Sequence, residues 1–447
     1  MPREPKAKAP RIPKAAKISL TQEQLAAAKL AEKAAKQIHN VAMNTLKTLP
    51  LTPLKVFVIS DPAEMDLAVA HFEKDGVGAL SIFETEALRV AYCERAIRSI
   101  TNSTLRACAY TTEIDNKLPY INDETDLKAM TGVFEGTSRA KGLFNAVGKS
   151  PFPHGGFGAS AFGTSFNSEE IWELRGNELL AEFTRRVWGP GFEPHYTLDR
   201  SIFKVPNVGE DAINHTDRVP FAKTRDDIYK VIHGKMVLSE GGTFLCCPGS
   251  HLEEDEIERL YKPHYPNATG DKFGLNAGKP DPLNIFGRTV KYSIPQGVIV
   301  MWSTATWHAV VANQSGRVQY GFYVGFQSDV LRPRYKLVTS VDEVTDRYNT
   351  WRFGQAPRAY PSCDKVQLYP FRWKNFIRLL ESYLIKVDKS SPRFDFSKRE
   401  MSTKPGIFVP DMVEVPDPTY APVRLSQLAR EMLVGKDRVE AFDFGMA

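Results

Sequence analysis

Between residues 195 and 326 the chain is cut into short runs rich in Val, Ile, Phe and Tyr, each bounded by Gly, Pro, Asn or Ser. They read SIFKVPN, KMVLSE, GTFLCCPGS, TVKYSIP, GVIVMW and HAVVANQSGRVQYGFYVGF. β-Branched and aromatic residues between turn formers favour strands, and runs this short bury an apolar face only by pairing with one another. The pattern predicts an antiparallel barrel or sandwich over 195–326.

Helical signals surround this region. LKVFVIS and VGALSIF read as short strands flanking a helix at DPAEMDLAVAHFEKDG, and ETEALRVAYCERAIRSI as a second amphipathic helix. SEEIWELRGNELLAEFTRRVWG begins with capping residues and sets Ile171, Leu174, Leu179, Leu180, Phe183 and Val187 on one apolar face. The class is therefore α+β. Before the strands, residues 21–50 predict a long helix with Thr21 and Gln24 in capping-box positions, and its small-residue stripe allows docking on the body, pairing with another chain, or carrying the N-terminus outward. Residues 1–20, rich in Pro, Lys and Arg, read as a disordered basic arm. Residues 327–447 alternate Pro-rich and aromatic stretches with helices at FRWKNFIRLLESYLIKV and LSQLAREMLVG, and read as an extension packed on the barrel.

The formal net charge is +5, and the first seventeen residues hold all of it: six basic side chains against Glu4. The body is neutral, so a nucleic-acid or acidic partner is an option for the arm alone. No apolar stretch approaches the ~20 residues that span a bilayer. Five cysteines without C-x-x-C spacing exclude a disulfide framework and a zinc knot. With no secretory h-region at the N-terminus, the expected compartment is the cytosol or nucleus.

Chemistry concentrates at INHTDRVPF, from Ile213, and at MWSTATWHAVVANQSGRVQYGFYVGF, from Met301. In an extended segment residues i and i+2 point to one side, so His215 and Asp217 can present an imidazole and a carboxylate to one point. His308, at the start of a strand, is the candidate third ligand for the two-histidine, one-carboxylate face that holds Fe(II) and leaves coordination positions open. Arg317 lies on the far arm of the hairpin turning at ANQSG. Its guanidinium suits the second carboxylate of a five-carbon dicarboxylate whose keto-acid end chelates the metal, which makes 2-oxoglutarate the expected cosubstrate. The Gly- and Phe-rich PHGGFGASAFGTSFN is a candidate cover for such a site. His39, His71, His195, His233 and His264 lack partners at ligand spacing and read as structural, His251 as a turn or wall residue, and Cys246 and Cys247 as neighbours facing opposite ways.

These segments resemble the phytanoyl-CoA dioxygenase-like family of Fe(II)/2-oxoglutarate oxygenases. HFEKDGVGALSIFETEALRVAYCERAIRSI is similar to that family's opening helix, D-G strand and second helix, and LSEGGTFLCCPGSH to its E-N-G and P-G-S-H strand pair. PQGVIVMWSTATWHAVVANQSGRVQYGFYVGF resembles its G-D, H-G, N-x-S and R ending. The resemblance covers roughly 65–326 and implies a double-stranded β-helix, a jelly-roll or cupin-like barrel, within an oxygenase domain at 51–326. It puts His215, Asp217 and His308 on the iron positions, where they act catalytically, and Arg317 on the 2-oxoglutarate position. Val298 and Ala309-Val310 depart from the family, the latter removing a hydroxyl that often helps hold the cosubstrate. An ungapped comparison puts Gln319 at the arginine position.

The implied reaction hydroxylates an unactivated C–H bond of a small or medium-sized organic substrate, consuming O2 and 2-oxoglutarate and releasing succinate and CO2. An intact Asp217 favours hydroxylation over halogenation, since related halogenases have a small residue there. Two other readings stand beside it: a macromolecular hydroxylase guided by the basic arm, and a non-catalytic barrel serving as an interaction module.

Overall fold

The computed structural model describes residues 22–107, 168–196, 201–204, 212–217, 231–266, 273–275, 280–311, 313–315, 319–328, 344–345, 348–349, 351–352, 394–401, 408–412 and 422–445. In chain order the strands are β1 (Leu51–Pro53), β2 (Val56–Val58), β3 (Val77–Ser81), β4 (Pro194–Tyr196), β5 (Ser201–Lys204), β6 (Ala212–Thr216), β7 (Val231–Val237), β8 (Gly242–Cys246), β9 (Phe273–Gly274), β10 (Val290–Ile294), β11 (Ile299–Ser303), β12 (His308–Val310) and β13 (Gln319–Ser328). A separate ribbon pairs β14 (Phe394–Met401) with β15 (Phe408–Met412). The helices used below are α1 (Gln22–Thr48), α2 (Pro62–Asp75), α3 (Glu86–Ala107), α4 (Glu169–Arg175), α5 (Glu178–Trp188), α6 (Glu254–Tyr261), α7 (Ile285–Arg288) and α8 (Gln427–Val434).

The strands build two mixed sheets. One runs β1-β10-β8-β12-β6-β9, the other β2-β3-β11-β7-β13-β4 with β5 also on β13. The strands from 51–81 thus enter both sheets, extending them beyond the span 195–326 expected from the sequence.

Alternation along β11 shows how the sheets are layered. Ile299 and Met301 face outward into a core shared with Phe72 of α2, Tyr92 of α3, Phe183 of α5 and Met432 of α8. Val300 and Trp302 face inward and pack with Phe244 and Cys246 of the other sheet. Both faces are apolar because both are covered, one by helices and one by the facing sheet. Each fully buried Phe or Met contributes roughly 1.5–3 kcal/mol.

Helix α1 takes the first of the options its sequence left open. Met43 and Leu46 pack on Leu245, Ala309 and Val311, the outer face of β8 and β12, and Lys291 Nζ donates to the Lys47 carbonyl at 2.8 Å. The helix expected over 168–189 is broken into α4 and α5, since Gly176 ends the first and the Asn177 side chain accepts from the Leu179 and Leu180 amides to start the second. Cys246 and Cys247 fall in different cores, back to back on one strand end. No helix among the described residues is long and apolar enough to cross a membrane.

Candidate metal centre

Strands β6 and β12 are antiparallel neighbours, and their register makes His215 and His308 direct partners. Partners across a ladder share a face, so both imidazoles point between the sheets, with ring centroids 4.2 Å apart. Asp217 lies one residue past the end of β6, held by its amide donating to the Thr304 carbonyl at 2.9 Å. The register shifts between His308 and Val310, a local irregularity that helps aim the histidine. One ligand atom from each of His215, Asp217 and His308 lies within 4.8 Å of the others.

The turn before His308 is fixed by the Asp75-Gly76 and CCPGSH segments. Gly76 closes α2 with φ 68°, and its carbonyl accepts from the Ser303 amide at 2.9 Å and the Thr306 hydroxyl at 2.8 Å. A Cβ on Gly76 would lie 2.4 Å from His251 Nδ1 and from Thr306 Oγ1, so glycine is required on two counts. In the CCPGSH turn, Ser250 Oγ accepts from the Trp307 amide at 3.0 Å and His251 Nε2 lies 2.9 Å from the Glu73 carbonyl. His251 therefore ties a turn to a helix end and stands apart from the metal cluster.

Asp217 collects donors. His233 Nδ1 lies 2.9 Å from its Oδ2 and the Trp302 indole donates to the same oxygen at 3.0 Å. Burial works to raise the Asp217 carboxyl, but His308, His233 and His215 together outweigh it and hold it well below the usual carboxylate range. His233, which spacing alone marked as structural, thus belongs to the site. Its neighbour in space is sixteen residues away along the chain.

His308 Nδ1 lies 3.0 Å from the Thr306 carbonyl, which can only accept, so the proton sits on Nδ1. That leaves the Nε2 lone pair turned toward Asp217 Oδ2 at 3.5 Å. Two imidazoles and one carboxylate are the donor set for Fe(II), and the residues present fit it. Arg317 and the 153–167 loop lie outside the described residues. Gln319 is described, and its side-chain amide donates to the Gly241 carbonyl.

No family model and no curated protein matches the sequence. Among solved structures the chain is similar to SnoK, a non-heme alpha ketoglutarate dependent carbocyclase from nogalamycin biosynthesis, at 15% identity over 58% of this chain and 83% of that one, with a TM-score of 0.34. Its structural neighbours are non-heme, 2-oxoglutarate-dependent enzymes. They include EctD from S. alaskensis, crystallised with 2-oxoglutarate and 5-hydroxyectoine, at 13% identity over 59% of this chain and 76% of that one, TM-score 0.34. AviO1 from Streptomyces viridochromogenes Tue57 is similar at 18% identity over 60% of this chain and 97% of that one, TM-score 0.34. At that level of likeness the chemistry has to be read from the side chains themselves.

Proposed function

We propose that the protein is an Fe(II)- and 2-oxoglutarate-dependent oxygenase that hydroxylates an unactivated C–H bond of a small or medium-sized organic substrate, with release of succinate and CO2. The observation that carries this reading is the convergence of His215, Asp217 and His308 from two paired strands onto one point between the sheets. The facing sheets are the two halves of the double-stranded β-helix implied by the family resemblance, and residues 51–326 form the oxygenase domain, with 1–20 a basic arm and 327–447 an extension. Five cysteines without C-x-x-C spacing support a reducing compartment, cytosol or nucleus.

His215, Asp217 and His308 would hold the metal, and when bound the metal and its keto-acid cosubstrate supply the activation of O2. The protein's own part is positional and electrostatic. Three imidazoles keep the Asp217 carboxylate ionised, and His233 and Trp302 fix its Oδ2 from the opposite sheet. Phe244 and Trp302, rings 5.1 Å apart, wall the site against water, with Phe244 stacked on His308 at 6.0 Å. The second carboxylate of 2-oxoglutarate needs a cationic partner, and the resemblance assigns that role to Arg317.

Anaerobic titration of metal-free protein with Fe(II) and 2-oxoglutarate tests the reading through the visible charge-transfer band of the chelate. Wild type should develop the band and His308→Ala should not. Folded wild-type protein with no band under any condition would sink the proposal.

A further inference from the structure

Among the described residues one inward-facing cation on β7, Lys235, is left without a partner. The register of β7 against β11 and β13 is continuous from Ile232 to Met236, so side chains alternate strictly. His233 faces inward, because it reaches Asp217 across the gap between the sheets. Lys235 therefore faces inward too, about 7 Å further along the strand. The next inward residue is Val237, packed with Phe244, Ile294 and Val298 in an apolar floor. Lys235 stands between the metal cluster and that floor.

Among the described residues Lys235 has no hydrogen bond or ion pair. It is half-buried, and burial alone, with no carboxylate acting on it, pushes its ammonium down to about 8. Apolar Val300 flanks it on one side and Tyr323 on the other. The inward positions of β13 around it read Gly321, Tyr323 and Gly325, opposite Val237, Lys235 and His233. Two of those three positions carry no side chain.

We propose that Lys235 is the counter-charge for an organic carboxylate bound between the sheets, namely the far carboxylate of the dicarboxylate whose other end meets the metal. This rests on the proposed oxygenase reading and gives to Lys235 the role that the family resemblance implies for Arg317. Register favours it: Lys235 is two residues from His233, whereas Gln319, where β13 begins, is six residues from Gly325, the strand partner of His233. A five-carbon dicarboxylate is about as long as two residues of strand, and far shorter than six. An ammonium is a compact point charge that meets a single carboxylate well without the fork geometry of arginine.

The test compares two keto acids on the Fe(II)-loaded, oxygen-free full chain, reading the charge-transfer band in wild type, Lys235→Met and Lys235→Arg. Pyruvate has the chelating end of 2-oxoglutarate and lacks the second carboxylate. Lys235→Met should need about ten- to hundredfold more 2-oxoglutarate for half-saturation, with unchanged demand for pyruvate and partial recovery in Lys235→Arg. Equal 2-oxoglutarate demand in Lys235→Met and wild type overturns the assignment while leaving the oxygenase reading intact. The second measurement needs no metal and no variant: wild-type protein is treated with an amine-acylating reagent and Lys235 modification is quantified by peptide mass spectrometry, with and without glutarate. Protection of Lys235 by glutarate supports a carboxylate site even if no chelate band forms. Modification at an unchanged rate overturns the proposal.

Discussion

His233 Nδ1 stands 2.9 Å from Asp217 Oδ2 across the gap between the two sheets, so a residue of one sheet orients a metal-site carboxylate of the other. Such partners of a ligand govern its orientation and basicity. His233→Ala should weaken Fe(II) or Mn(II) binding by about ten- to hundredfold, measured by competition with a chromophoric chelator. Unchanged affinity in a folded variant would remove His233 from the site.

Trp302 shares that oxygen. Trp302→Phe keeps an aromatic ring against Phe244 and His308 and deletes only the indole donor, 3.0 Å from Asp217. Metal affinity should fall by about tenfold, the equivalent of roughly 1.4 kcal/mol. Because both donors serve one oxygen, the His233→Ala, Trp302→Phe double variant should depart from additivity by about 0.5–3 kcal/mol. Strict additivity in the same competition assay would mean that the two donors act independently.

A lysine held at about 8 instead of 10.5 gives stability a definite pH dependence. Between those values the unfolded chain binds more protons than the folded one, so this residue's cost is full below pH 8 and relieved as pH rises toward 10.5. Without any dicarboxylate, Lys235→Met should melt above wild type at pH 7, and the gap should narrow steadily up to pH 10. Thermal melts at a series of pH values check this, and a pH-independent gap would contradict the burial of the ammonium.

Gly234 sits between His233 and Lys235 on the outward face of β7. A Cβ there would lie 2.4 Å from Met301 Sδ and 3.0 Å from the Val324 carbonyl, and the carbonyl cannot move without breaking a ladder. Gly234→Ala should cost about 1–3 kcal/mol in urea denaturation and weaken metal binding, since its two flanking side chains shift with the strand. A loss below about 0.5 kcal/mol would show that Met301 absorbs the methyl group.

The clustering of His215, Asp217 and His308 was legible in the sequence because the first two share one extended segment, a relation that period-two geometry exposes, and His308 opens a strand. Of β7 only KMVLSE, from Lys235 onward, was legible as a strand, so His233 stood outside it. His233 and Lys235 alternate with Ile232, Gly234 and Met236, a pattern that ordinarily puts the polar face in water. Here the polar face lines the interior and the apolar face packs under helices, an inversion that only the pairing with β11 and β13 reveals. The break at Gly176-Asn177 was hidden for a different reason: an apolar face continues across it, and periodicity does not register a cap.

The strand carrying His308 has two coverings. Its inward side meets the metal site, while its outward side, through Ala309 and Val311, rests on Met43 and Leu46 of α1. A recombinant chain started at Leu51, where a boundary drawn from sequence would fall, would strip that backing away and leave Leu245, Ala309 and Val311 as a bare apolar strip behind the distal histidine. A fragment that keeps this backing has to include Met43 and Leu46, and the last turns of the long N-terminal helix are part of the scaffold behind His308.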